Sequence, residues 1–406
     1  MEKKQNRWVL AIIGVITLVF VGLVYSWTVL QAPISAQYPE WSAGSLSLTF
    51  TLTMIFFCLG GFSGGHLQKK FKPRTLLWIT ALCMLAGFFV SSRAATVLPL
   101  YLGFGALSGF ASGLAYNIVM STVGRWFPDR QGLISGLLLM GFGMGSFVVG
   151  KIYTIFTPSD GSEVWRISFL VMGAIIFVIV AAASFFLVNP PEEWLAPDAK
   201  SVKKQVQSYA EMTTVQMIKT SAFWLFFVWS ILMTGAALIV ISQGTPIALQ
   251  ACPGTDMGKI ATVVGLISIF NGLGRIVFGL LFDKIGRFWE MLIGGVLFIV
   301  AIILVLLAVN SHSMFLLVIS YIMTGFAYGV VPTTNSAFAS LFFGMKNYPV
   351  NYSIINMVLL PASFGSTVAG LLYDSTGSYF VILYVTLGMI VISCVLSCLI
   401  RKPKQL

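Results

Sequence analysis

Apolar residues run through this chain in long blocks, broken by short polar stretches that hold most of its charge. A helix rising about 1.5 Å per residue needs roughly 20 apolar residues to cross a hydrocarbon core about 30 Å thick. Segments of that kind fall at 8–31, 44–66, 75–92, 96–121, 131–157, 165–189, 222–249, 257–282, 289–309, 313–340, 349–373 and 378–400. The pattern predicts an all-α polytopic membrane protein with twelve transmembrane helices. The apolar run from Trp8 to about Leu30 is too long for the core of a cleaved leader and reads as the first span. The longest polar stretch opens with Pro190-Pro191-Glu192-Glu193 and separates six spans from six. The expected organisation is a six-helix bundle over 1–189, a cytoplasmic linker over 190–221 and a second six-helix bundle over 222–406.

Composition sharpens this picture. Of 406 residues, 58% are hydrophobic and 9% charged, against about 25% charged in soluble domains. So few charges cannot cover a soluble surface of this size, and lipid is the expected solvent. The net charge of +11 is no sign of nucleic-acid binding, because the basic residues are scattered through short loops instead of gathered on one face. All the Lys and Arg residues except Arg93, Lys151, Arg166, Lys259 and Arg275 lie in the terminal segments and alternate loops of one side. By the positive-inside rule that side is the cytoplasm, with both termini in it. The five cysteines make no metal-ligand spacing and no disulfide framework. Gly145-x-x-x-x-Gly150-Lys151 imitates a phosphate loop, but Ile152 stands where Ser or Thr is needed and no strand precedes it. Gly136, Gly141, Gly143, Gly145 and Gly150 read better as a close-packing helix face.

The two halves repeat weakly. Gly279-x-x-x-Asp283-Lys284-x-Gly286-Arg287 follows the eighth span, and Gly65 to Arg74 occupies the matching place after the second. Gly113-Leu-Ala-Tyr116 in the fourth span recurs as Gly325-Phe-Ala-Tyr328 in the tenth. The second-half motif resembles the loop signature of the major facilitator superfamily. An acid and bases at helix ends form a charge-and-dipole latch there, which nominates Asp283, Lys284, Arg287 and Arg130. Lys69 replaces the acid in the first half. Tyr25-Ser26-Trp27-Thr28, Arg125-Trp126-Phe127-Pro128-Asp129-Arg130-x-Gly132, Asn271-Gly272-x-x-Arg275, Pro332-Thr-Thr-Asn335 and Lys346-Asn347-Tyr348 together look like the oxalate/formate antiporter and bacterial monocarboxylate transporter group. That resemblance implies two pseudo-symmetric six-helix bundles, small carboxylates as substrates and alternating access.

Arg275 carries the chemistry. It lies eight residues before Asp283, so about 12 Å into the membrane. A cation at that depth costs at least about 2.5–3.5 kcal/mol on insertion scales and persists only beside a partner or a wet cavity. All 13 acidic residues fall in loops or at helix ends, so the expected counter-ion is a substrate carboxylate held in the guanidinium fork. Tyr116 and Tyr328, at equivalent places in the two halves, and Tyr25 in the first span can offer an apolar wall and a hydroxyl. Asn271 shares a helix face with Arg275. Asn117, Asn356, Tyr352 and Gln31 complete the candidate substrate-binding set. From Asn347 to Tyr373 there is no charged residue, and a single buried cation suits a monoanion of lactate, pyruvate or formate type. A dicarboxylate/formate antiporter is the alternative within the class. Outside it, a transporter-like sensor that binds the anion without moving it fits the same residues. No nucleophile–base set or metal cluster points to an enzyme, and no cofactor is expected. The expected partners are the carboxylate, membrane lipid and, in a symporter, protons, which could travel with the substrate or through acids such as Asp256. A monomer in a bacterial inner membrane is expected.

Overall fold

The computed structural model describes residues 6–41, 43–158, 161–191 and 211–402, and all regular structure among them is helical. Most of the linker predicted at 190–221 lies outside the described residues. In chain order the first half contains α1 (Arg7–Val21), a 3-10 stretch (Gly22–Ser26), α2 (Trp27–Gln37), α3 (Ala43–Leu67) and α4 (Pro73–Ser92). It continues with α5 (Leu98–Leu100), a π-helical stretch (Tyr101–Ser108), α6 (Gly109–Gly124), α7 (Gln131–Phe156) and α8 (Val164–Ser184). Then follow α9 (Thr214–Ile218), α10 (Ser221–Ser242), α11 (Gly244–Ala251), α12 (Met257–Ser311), α13 (Met314–Phe343), α14 (Tyr348–Asn356), α15 (Leu359–Thr376) and α16 (Tyr379–Leu399).

Among the described residues nine helices are long and apolar enough to cross a membrane. The twelve spans of the sequence reconcile with that number through three local features. The first span is broken by the 3-10 stretch before α2, which carries Pro33. The eleventh is broken between α14 and α15. The eighth and ninth run together as α12, which turns at Gly286 (φ 78°, ψ 168°), a conformation that glycine adopts without a Cβ penalty. Lipid is the solvent that suits the outer faces: Ile167, Val171 and Val178 on α8 and Val391, Ile392 and Val395 on α16 are all exposed, an apolar load that water would not tolerate.

Two compact units emerge. One comprises 1–129, 137–205 and 348–353; the other comprises 130–136, 206–347 and 354–406. In each, small residues let helices touch backbone to backbone. A Cβ on Gly113 of α6 would collide with the Phe57 carbonyl of α3, and one on Gly325 of α13 would collide with the Ile267 carbonyl of α12. The recurring Gly-x-x-Tyr motif thus sits at the same kind of contact in both units, and places Tyr116 and Tyr328 one turn from it. Gly141 and Gly145 of α7 lie against Val15 and Val19 of α1, the close-packing role read from the glycine run.

Side-chain caps finish the helices. Asp256 accepts from the Lys259 amide at the start of α12, and Ser313 does the same for Leu316 in α13. Glu211, just before α9, accepts from the amides of Met345 and Lys346. It thereby fixes the turn at Gly344 that leads into α14.

Candidate functional site

Arg275 lies on the arm of α12 before Gly286 and is 9% exposed. One turn earlier Asn271 accepts from its Nε at 3.3 Å, so the helix itself aims the guanidinium. Tyr328 adjoins Gly329 of α13, which packs directly on the Gly274–Arg275 backbone of α12. Four residues further on, Pro332 lies inside α13 and removes the amide that the Tyr328 carbonyl would otherwise engage. Arg275, Asn271 and Tyr328 therefore form one cluster within one unit.

A second cluster belongs to the other unit. The hydroxyls of Tyr116 and Tyr352 are 2.6 Å apart. The Tyr116 ring also packs on Phe57 and Phe142, and Tyr352 stacks on Tyr348 with centroids 5.1 Å apart. Asn117 donates to the Pro349 carbonyl and accepts from Gln68; its amide holds the first turn of α14 in place. Gln31 has a buried side-chain oxygen without a hydrogen-bond donor. Asn356 is the last residue of α14, and although it shares that helix with Tyr352 it falls in the unit of Arg275. Tyr25 lies in the 3-10 stretch; its side chain is outside the described set.

Asp283 and Arg287, two of the residues nominated for the latch, each serve a helix end. Asp283 accepts from the backbone amides of Gly132 and Leu133, both at 2.8 Å, and so caps the N-terminus of α7, where the helix dipole favours a negative charge. Gly132 and Gly279 touch there without room for a Cβ on either. Arg287 serves a different helix end, donating to the Ser397 and Ile400 carbonyls at the close of α16. Lys284 and Arg130 are exposed.

Two features escaped the sequence. Arg7 and Asp129 form a two-pronged ion pair at 2.6 and 3.0 Å, joining residues 122 apart with no local signal. Glu290, which the span boundaries put at a helix end, is fully buried. Glu290 keeps to the expected helix end, in the first turn after Gly286, but α13 covers it there, with Thr334 at 2.7 Å.

Comparisons with known proteins agree with this architecture. The sequence profile of the Major Facilitator Superfamily matches residues 10–362 and, in a second match, 254–406. The chain is 27% identical over 352 residues to the Escherichia coli protein called uncharacterized MFS-type transporter YhjX, covering 87% of this chain and 84% of that one. It is 26% identical over 349 residues to the oxalate:formate antiporter of Oxalobacter formigenes, covering 84% and 80%. It is 24% identical over 354 residues to rat monocarboxylate transporter 2, covering 82% and 70%. Among solved structures the proton:xylose symporter XylE superposes with a TM-score of 0.74 at 12% identity, over 98% of this chain and 96% of that one, which is agreement in fold. With repeated helices, close-packed glycines and a profile that extends over nearly all of its length, this chain belongs to the Major Facilitator Superfamily of membrane transporters.

Proposed function

We propose that this transporter carries a small organic anion, a monocarboxylate of the lactate, pyruvate or formate type, by alternating access. The observation that carries the proposal is Arg275: a guanidinium buried in an apolar span, aimed by Asn271 and flanked by Tyr328. The two terminal nitrogens of such a group match the two oxygens of a carboxylate. Anion-handling names among the similar proteins, an oxalate:formate antiporter and a monocarboxylate transporter, support the same substrate class. The uncharged stretch 347–373 favours one negative charge over two. The distribution of Lys and Arg puts both termini, and the Asp283 end of α12, in the cytoplasm; the bacterial relatives favour an inner membrane. Movement is by proton symport or anion exchange, and the carrier acts as a monomer.

The test is uptake of labelled lactate, pyruvate, formate and oxalate into proteoliposomes, for wild type and Arg275→Lys. A monocarboxylate is moved by the wild type. The lysine variant, a point charge without the fork, is slower by roughly 10- to 100-fold, the range expected for a lost charge-assisted hydrogen bond. Undiminished uptake by Arg275→Lys removes Arg275 from the site, and binding without uptake makes the protein a sensor.

A further inference from the structure

The hydroxyl of Thr334 has two neighbours and one hydrogen. Its Oγ1 is 2.7 Å from the Val330 carbonyl, one turn back on α13, and 2.7 Å from Glu290 Oε1. The Val330 carbonyl can only accept. If the threonine hydrogen goes to it, as in the usual back-bonding of a helical threonine, the contact with Glu290 lacks a hydrogen unless the carboxyl supplies one. A carboxylic acid donating to Thr334, which donates in turn to Val330, satisfies both short contacts. An ionised Glu290 would leave one of them as two acceptors face to face.

The surroundings favour the same reading. Glu290 is completely buried and its Oε2 has no hydrogen-bond partner, an arrangement that a neutral acid tolerates and a bare carboxylate does not. Arg287 lies three residues earlier on the same helix. Arg287 directs hydrogen bonds to the Ser397 and Ile400 carbonyls and to Met291, and stacks over Phe342. From α13 Glu290 faces Thr334.

We propose that Glu290 is a proton-binding site of this carrier, holding the proton on the oxygen that faces Thr334 and releasing it to water when α13 bends. Pro332, two residues before Thr334, is where the hydrogen-bond ladder of α13 is interrupted. A bend there separates Thr334 from Glu290 and admits water, which takes the carboxyl proton as hydronium and leaves a carboxylate. The proton that drives anion accumulation passes through this site, a statement that rests on the carboxylate-carrier reading above.

Two measurements test it. Infrared spectra of the purified protein in lipid at neutral pH show a carboxylic C=O band that disappears in Glu290→Gln and moves in Thr334→Val. In proteoliposomes the wild type accumulates the anion roughly tenfold across a one-unit inward pH gradient; Glu290→Gln, a permanently uncharged mimic, keeps counterflow but falls to parity. Absence of the band in the wild type overturns the site, and gradient-driven accumulation by Glu290→Gln equal to wild type overturns its role in coupling. A wild type that moves no carboxylate refutes the carrier reading instead, while the infrared band still decides the site. If Glu290→Gln does not fold, the shift of the band in Thr334→Val and its loss on raising pH carry the test.

Discussion

Tyr116 and Tyr352, separated by 236 positions in sequence, hold their hydroxyls 2.6 Å apart inside one unit. Both rings are buried, at 7% and 0% exposure, so each phenol has the other in place of water. A neutral hydrogen bond of this kind contributes about 1 kcal/mol net. Tyr116→Phe and Tyr352→Phe should therefore each lower stability by about 1 kcal/mol, while the double variant costs no more than either alone. Thermal unfolding of the three purified variants measures this as a double-mutant cycle; simple additivity would show that the two hydroxyls act independently.

Asp283 takes two amides of the first turn of α7. A carboxylate there combines capping with the favourable helix dipole, each worth about 1 kcal/mol. Asp283→Asn keeps an acceptor and should lose about 1 kcal/mol, and Asp283→Ala about 2 kcal/mol. Thermal inactivation of transport ranks the variants in the order wild type, Asn, Ala. Equal loss in Asn and Ala would locate the whole effect in the charge.

Arg7 and Asp129 are a different matter from the usual surface ion pair. Their side chains are 10% and 4% exposed, and the guanidinium also lies over the Phe127 ring. Breaking a buried pair from one side leaves an uncompensated charge and costs about 3–5 kcal/mol, whereas an exposed pair costs about 0–1 kcal/mol. Arg7→Met or Asp129→Leu alone should fall in the first range. The double replacement should recover much of the loss, as removing both charges does in a buried site. A loss below about 1 kcal/mol for either single variant, measured by thermal unfolding in lipid, would place the pair among the exposed ones.

The spans were legible because lipid demands long apolar runs and the chain has little charge to spare outside them. Breaks within spans were less so. The loop signature holding Gly286 marked the place between the eighth and ninth spans, but not that a single residue would turn α12 there. The eleventh span reads as one apolar run, yet it divides into α14 and α15. Asn271 as the partner of Arg275 could be read from a spacing of four residues. Glu290 could not: its position by count is a helix end, and what buries it is Thr334, 44 residues later. The amide of Asn117, nominated for substrate, is taken up by Pro349 and Gln68, partners that no local pattern announces.

Arg275 and Asp283 ride on the same unbroken arm of α12, eight residues and about 12 Å apart. The guanidinium and the carboxylate that caps α7 are thus fastened to a single stiff rod. No relay of side chains is required between them, since a tilt of the rod at one end is a displacement at the other. Residues around Arg275 can therefore change while the rigid link from this arm to the start of α7 stays in place.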